Sequence, residues 1–171
     1  TKLTRDTNAT VALTAAAALT RRGKPADRFV PLAETALARP AARRDAAIVL
    51  AGTATNAANA RRLMPLRQDV DPLIRALAAG PLCRNKVLDS EQTMALLNDP
   101  EEEVVLAAAA GLQLPPDGNP GLLLRLQTLG NQPYLRVAGQ AQSSLVSACP
   151  AEPWARRRYD LMTTHPTIRM Q

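Results

Sequence analysis

Apolar and polar positions along this chain repeat in blocks of about thirty residues. The segment LLNDPEEEVVLAAAAGL (96–112) shows the pattern in full. Asn98-Asp99-Pro100 predicts the end of one helix and the start of another, with Pro100 in the first turn, where its missing N–H costs nothing. Glu101, Glu102 and Glu103 follow, where carboxylates complement the positive end of a helix dipole by ~0.3–1 kcal/mol each. Val104, Ala107, Ala108, Gly111 and Leu112 then recur at helical spacing. Their small side chains predict a face on which a second helix can approach closely.

The same corner returns in 7–20, 38–52, 71–80 and 131–145. Expected stripes are Val11, Thr14, Ala15, Ala18 and Leu19 in the first, and Arg43, Ala46, Ala47, Leu50 and Ala51 in the second. The third carries Ile74-Arg75 and Leu77-Ala78. In the last, Tyr134, Val137, Ala138, Ala141 and Leu145 make a better face than an arginine-anchored register, which would bury Gln142. The residue after the first stripe position is Ala12, Arg44, Arg75, Val105 and Arg136, at separations of 32, 31, 30 and 31. Shorter apolar helices are predicted over 25–38, 59–68, 90–98 and 119–130, one before each corner after the first. Each unit is then a helix, a turn containing proline and a second, alanine-faced helix. A pair this short cannot bury its own apolar face, so neighbours must stack on it. Gly80-Pro81 is expected to cut the third alanine-faced helix short and leave 81–89 irregular.

Composition agrees with thin, closely spaced helices. Among 171 residues, only Phe29, Tyr134, Trp154 and Tyr159 are aromatic, and the 14 prolines fall mostly between apolar stretches. No apolar run approaches the ~18 residues of a membrane span, and the first ten residues hold no secretory signal. Cys83 and Cys149 lack metal-type spacing and read as reduced thiols of a cytoplasmic protein. The chain is expected to be a complete short protein whose amino-terminal Thr permits removal of an initiator Met.

These motifs resemble the "DP…VR-x-A-A" signature of HEAT repeats. Asp99-Pro100 followed by Val104 and Ala107-Ala108, Pro72-x-Ile74-Arg75, and Pro133-x-Leu135-Arg136-x-Ala138 carry the likeness over about 10–147. The short bacterial-type variety, with units near thirty residues as in phycobilin lyases and bacterial scaffold proteins, is the nearer match. The resemblance implies an all-α fold, a right-handed α-solenoid of four to five HEAT-like helix pairs over 1–149, with a capping helix and tail over 150–171. About function it implies little, since that family spans scaffolds, regulators and a few enzymes.

Charge adds one feature. Residues 1–86 hold fifteen Lys and Arg against six Asp and Glu, whereas 87–171 hold six against nine. Such a polarity can steer an acidic partner to the amino-terminal end, although solvent-facing helix positions carry charge in any case. Catalytic chemistry finds no footing. Iron-holding HEAT-like enzymes use several His-Glu pairs, and this chain has one histidine, His165; glycine-rich phosphate loops and nucleophile motifs are missing too. The expectation is a non-catalytic scaffold or adaptor with no cofactor, no metal and no small-molecule substrate. Its partner would be another protein, an acidic one by preference. Binding would use the surface lined by the second helices and a carboxy-terminal patch. The partner-binding candidates are Arg43, Arg61, Arg62, Trp154, Arg156, Arg157, Arg158 and Tyr159. The second reading is a nucleic-acid binder with a basic face, resembling HEAT-like DNA glycosylases in architecture alone; the scarcity of aromatics for base stacking weighs against it. Arg44, Arg75 and Arg136 have a structural alternative, as a ladder tying successive units through turn acids or carbonyls.

Overall fold

The structure, a computed structural model, describes residues 8–114, 119–131 and 135–148. The expected boundary at 149/150 and the expected capping helix lie outside them. Every regular element among the described residues is helical: α1 (Ala9–Arg21), α2 (Val30–Ala36), α3 (Pro40–Thr53), α4 (Ala57–Arg61), α5 (Pro72–Arg84), α6 (Ser90–Leu97), α7 (Glu102–Gly111), α8 (Pro120–Gly130) and α9 (Leu135–Ala148). Short 3-10 turns at Asp27–Phe29 and Met64–Gln68 lead into α2 and follow α4. The protein is all-α.

Polar side chains start most of these helices by satisfying their free N–H groups. Asn8, Asn56, Asp71 and Asn119 each accept from a backbone N–H two or three residues on. Asp89 and Gln92 form a reciprocal capping box at α6. Gly23, at φ 66°, closes α1 with a left-handed cap in which the Lys24 N–H reaches the Leu19 carbonyl.

The alanine-faced helices pack in sequence, α1 on α3, α3 on α5, α5 on α7 and α7 on α9, while α2, α6 and α8 lie against α3, α7 and α9. Several contacts between these segments span about thirty residues. Thr14 Oγ1 donates to Asp45, 31 residues on, and Asn85 Nδ2 to the Ala54 carbonyl, 31 residues back. Asn119 donates to Ser90 across 29 residues and Arg125 to the Leu97 carbonyl across 28. The buried apolar residues form two clusters, one from Leu13 to Leu82 and one from Ala79 to Leu145. They meet at α5, whose Ile74, Ala78 and Leu82 enter the first cluster while Ala79 and Cys83 enter the second.

The expected stripes hold in the main in four of the five corners and fail in one; over 71–80, Ile74 and Ala78 are buried and Arg75 and Leu77 half-buried. Ala46, Ala47 and Leu50 are buried in α3, Val104, Ala108 and Gly111 in α7, and Val137, Ala138, Ala141 and Leu145 in α9, whereas Arg43, Ala51, Ala107 and Leu112 are half-buried and Tyr134 lies outside the described residues. In α9 both registers contribute, because Gln142 is buried as well. In α1 the stripe lies on the other side. Ala12, Leu13, Ala16 and Ala17 are buried, whereas Val11, Thr14 and Ala18 are exposed. Both faces of that helix are apolar enough to pack, and the neighbours α2 and α3 decide which one does.

Three further differences concern proline. Pro81 does not end α5, which runs on to Arg84. Leu82 and Cys83 are anchored in the two core clusters, and that burial holds the helix together past the lost hydrogen bond. The helix expected over 59–68 is broken instead, since α4 stops at Arg61 and Pro65 sits in the 3-10 turn that follows. Pro100 lies just outside α7, with Glu101 at the cap and Glu102 and Glu103 in the first turn.

Close approach replaces bulk where α5 meets α7. A Cβ on Gly111 would run into the carbonyl oxygen of Gly80 and stand 2.9 Å from its carbon. Ala108, one turn earlier on α7, is wholly buried. Leu at position 108 has no room there, so Ala108→Leu is expected to cost ~1–3 kcal/mol, read as a lower melting temperature by circular dichroism. An unchanged melt would place the packing face of α7 elsewhere.

Candidate partner-binding face

Two sets of side chains lie along the alanine-faced helices, one tying neighbouring segments together and one facing solvent. The tying set is built on arginines three residues after the turn prolines. Arg43, in the first turn of α3, donates from Nε to the Leu37 carbonyl of its own turn at 2.9 Å and from Nη1 to Asp69 of the next turn at 3.2 Å. Arg75 repeats the arrangement in α5. Its Nη1 donates to the carbonyls of Asp69 and Val70, while Nε and Nη2 grip Asp99 of the following turn at 2.8 and 2.9 Å. Asp69 and Asp99 each also accept from the backbone N–H two residues on. In α7 the same position is Glu103, and Arg136 of α9 reaches back to it at 2.8 Å.

The Arg75–Asp99 pair is largely withdrawn from water, at 15% and 10% side-chain exposure. Burial pushes the Asp99 carboxyl upward, but the Arg75 hydrogen bonds, the Glu101 N–H and the Arg75 charge together hold it below the usual carboxylate value. The hydrogen bond from Arg75 to Asp99 correspondingly raises the guanidinium further.

The inter-unit ladder expected for Arg44, Arg75 and Arg136 therefore exists for the last two, but Arg43 takes the place assigned to Arg44. Anchoring on Pro40, Pro72, Pro100 and Pro133 instead of on the apolar stripe would have found it, since the residues three positions later are Arg43, Arg75, Glu103 and Arg136.

The solvent-facing set lines a groove of about 440 Å³ that crosses consecutive alanine-faced helices. Ile48 of α3, Leu73, Ala76 and Leu77 of α5, and Leu106, Ala107 and Ala110 of α7 give it an apolar floor. Arg21 and Arg44 stand at its amino-terminal end and Glu103 at the other. Leu73 is 41% exposed. Arg21 pairs loosely with Asp45 at 3.7 Å, and Glu103 is engaged by Arg136. Arg44 is exposed and has no hydrogen-bond or ion-pair partner among the described residues.

The residues expected to bind a partner are scattered with respect to this groove. Arg43 is committed to Leu37 and Asp69, and Arg62 lies 3.4 Å from Glu34 of α2. Arg61 is exposed at the end of α4. Trp154, Arg156, Arg157, Arg158 and Tyr159 lie outside the described residues. Leu77 belongs to the stripe expected over 71–80, whereas Leu73 and Leu106 carry no expectation, because nothing in their spacing separates a leucine between helices from one beneath them.

Other chemistry is sparse among the described residues. No group of three or more His, Cys, Asp or Glu side chains gathers as a metal site would. Cys83 is buried, and that burial pushes its thiol up to about 12, so it stays protonated and unreactive. No described helix is long and apolar enough to cross a membrane. Compared with known protein families and curated proteins, the sequence matches no family model and no curated protein.

Proposed function

We propose that this protein is a non-catalytic interaction scaffold, a HEAT-like α-solenoid that binds another protein on the face of its alanine-faced helices. The observation that carries the reading is the apolar groove crossing α3, α5 and α7, with a partly exposed leucine in its floor. Support for the solenoid comes from the recurring one-unit spacing of the inter-unit contacts and from the sequential packing of α1, α3, α5, α7 and α9. Contiguous solvent-accessible apolar surface marks protein-interaction sites and ligand grooves. Several arginines that a phosphate backbone would need are already committed to carboxylates within the fold, namely Arg43, Arg62 and Arg75.

Affinity purification from native cells, with and without nuclease, tests the reading. A specific protein recovered equally under both conditions is the expected result. Recovery that disappears with nuclease would favour the nucleic-acid reading instead.

A further inference from the structure

Charge and shape at the groove narrow the partner further, on the footing of the scaffold reading. We infer that the groove takes an amphipathic segment of a partner protein that sets a carboxylate on Arg44 and a branched aliphatic side chain between Ile48, Leu73, Leu77 and Leu106.

Three observations converge on this occupant. The floor is aliphatic and holds no aromatic ring, so it suits leucine-sized side chains and offers no platform for stacking a base or a sugar. The one end carries Arg44, a guanidinium without a partner among the described residues, while Asp45 beside it is satisfied by Thr14 at 2.7 Å and by Arg21. An incoming carboxylate therefore meets an uncompensated cation. The opposite end is Glu103, which pairs with Arg136 at 2.8 Å on the exposed surface, and the exposed Glu101 and Glu102 beside it keep that end acidic, away from an incoming carboxylate at Arg44. A segment lying across α1 to α7 would cover three interhelical spacings, roughly 24–30 Å at the usual 8–10 Å each. That length corresponds to ~16–20 helical residues or ~7–9 extended ones.

The test uses three synthetic 18-residue peptides with the full chain. One has leucines at helical spacing and glutamates at one end, the second replaces the glutamates by lysines, and the third replaces the leucines by serines. Fluorescence anisotropy measures affinity, and methyl NMR of Ile and Leu reports where each peptide sits. The glutamate peptide is expected to bind about tenfold or more tightly than the lysine peptide. The serine peptide should not bind, and shifts should centre on Ile48, Leu73 and Leu106. Arg44→Glu should invert the charge preference. Leu73→Asp should abolish binding without altering the circular dichroism melt, because Leu73 is already 41% exposed.

Equal affinity for the two charged peptides, no binding up to millimolar peptide, or shifts confined to α6 and α8 would each overturn the inference. So would displacement of the glutamate peptide by a short oligonucleotide, or self-association of the chain that Leu73→Asp removes. The two readings fail separately. A native partner still captured by the Leu73→Asp variant would sink the groove assignment and leave the scaffold intact. Glutamate-peptide binding with no nuclease-resistant partner in cells would do the reverse.

Discussion

Replacing Gly111 by alanine should unfold this protein at a markedly lower temperature, although the same change in most helices raises stability. Alanine is the better helix former by up to ~1 kcal/mol, so propensity alone predicts a gain. Here the new methyl would be driven into the Gly80 carbonyl group, and backbone atoms of a packed helix cannot turn aside as a side chain can. Relief requires α5 and α7 to move apart along the seam they share. We expect a loss of about 3 kcal/mol or more, at the upper end of what overpacking costs. Gly139→Ala supplies the contrast. It lies inside α9, where an added Cβ meets nothing within 4 Å, and should stabilise by ~0.5–1 kcal/mol. Thermal melts of the two variants should move in opposite directions. If both rise, α5 and α7 are not in backbone contact.

The second large effect is expected at Asp99. Asp99→Ala leaves the Arg75 guanidinium, little exposed, without the carboxylate it grips twice, and removes the acceptor for the Glu101 N–H. Breaking one side of such a pair costs about 2–4 kcal/mol. The same pair imposes a pH dependence whose sign follows from the lowered carboxyl. Since Asp99 holds its proton less tightly folded than unfolded, its contribution is fully present above the unfolded value of about 3.9 and is lost as the pH falls through the lower folded value. Urea titrations between pH 7 and pH 2 should show this acid-side loss in the wild type and a shallower one in Asp99→Asn. Identical slopes would mean that Asp99 and Arg75 are not coupled in solution.

Much of the fold is legible in the sequence because its corners are punctuated chemically. Asp71-Pro72 starts a helix, Asp89 with Gln92 starts another, and Asn119-Pro120 a third, and each signal acts within four residues. What could not be read depends on neighbours. Ala12 and Ala15 have the same side chain, yet the first is buried and the second only half so, because α2 and α3 press on one flank of α1. Pro81 reads as a helix end, but the burial of Leu82 and Cys83 outweighs one missing hydrogen bond. The proposed binding face suffers from the same limitation. The second helices can be proposed as its lining from their repeating pattern, whereas Leu73 and Leu106 line a groove only once the gap between helices has a width.

The shared position of α5 sets how this molecule would come apart under load. Ile74, Ala78 and Leu82 close one core, and Ala79 and Cys83 close the other, so among the described residues the two cores meet at this rod and at Leu88 just beyond it, which packs against both. Pulling on either end would peel one leaf and leave the remainder shut, but a wedge that rotates α5 would open both compartments in a single event.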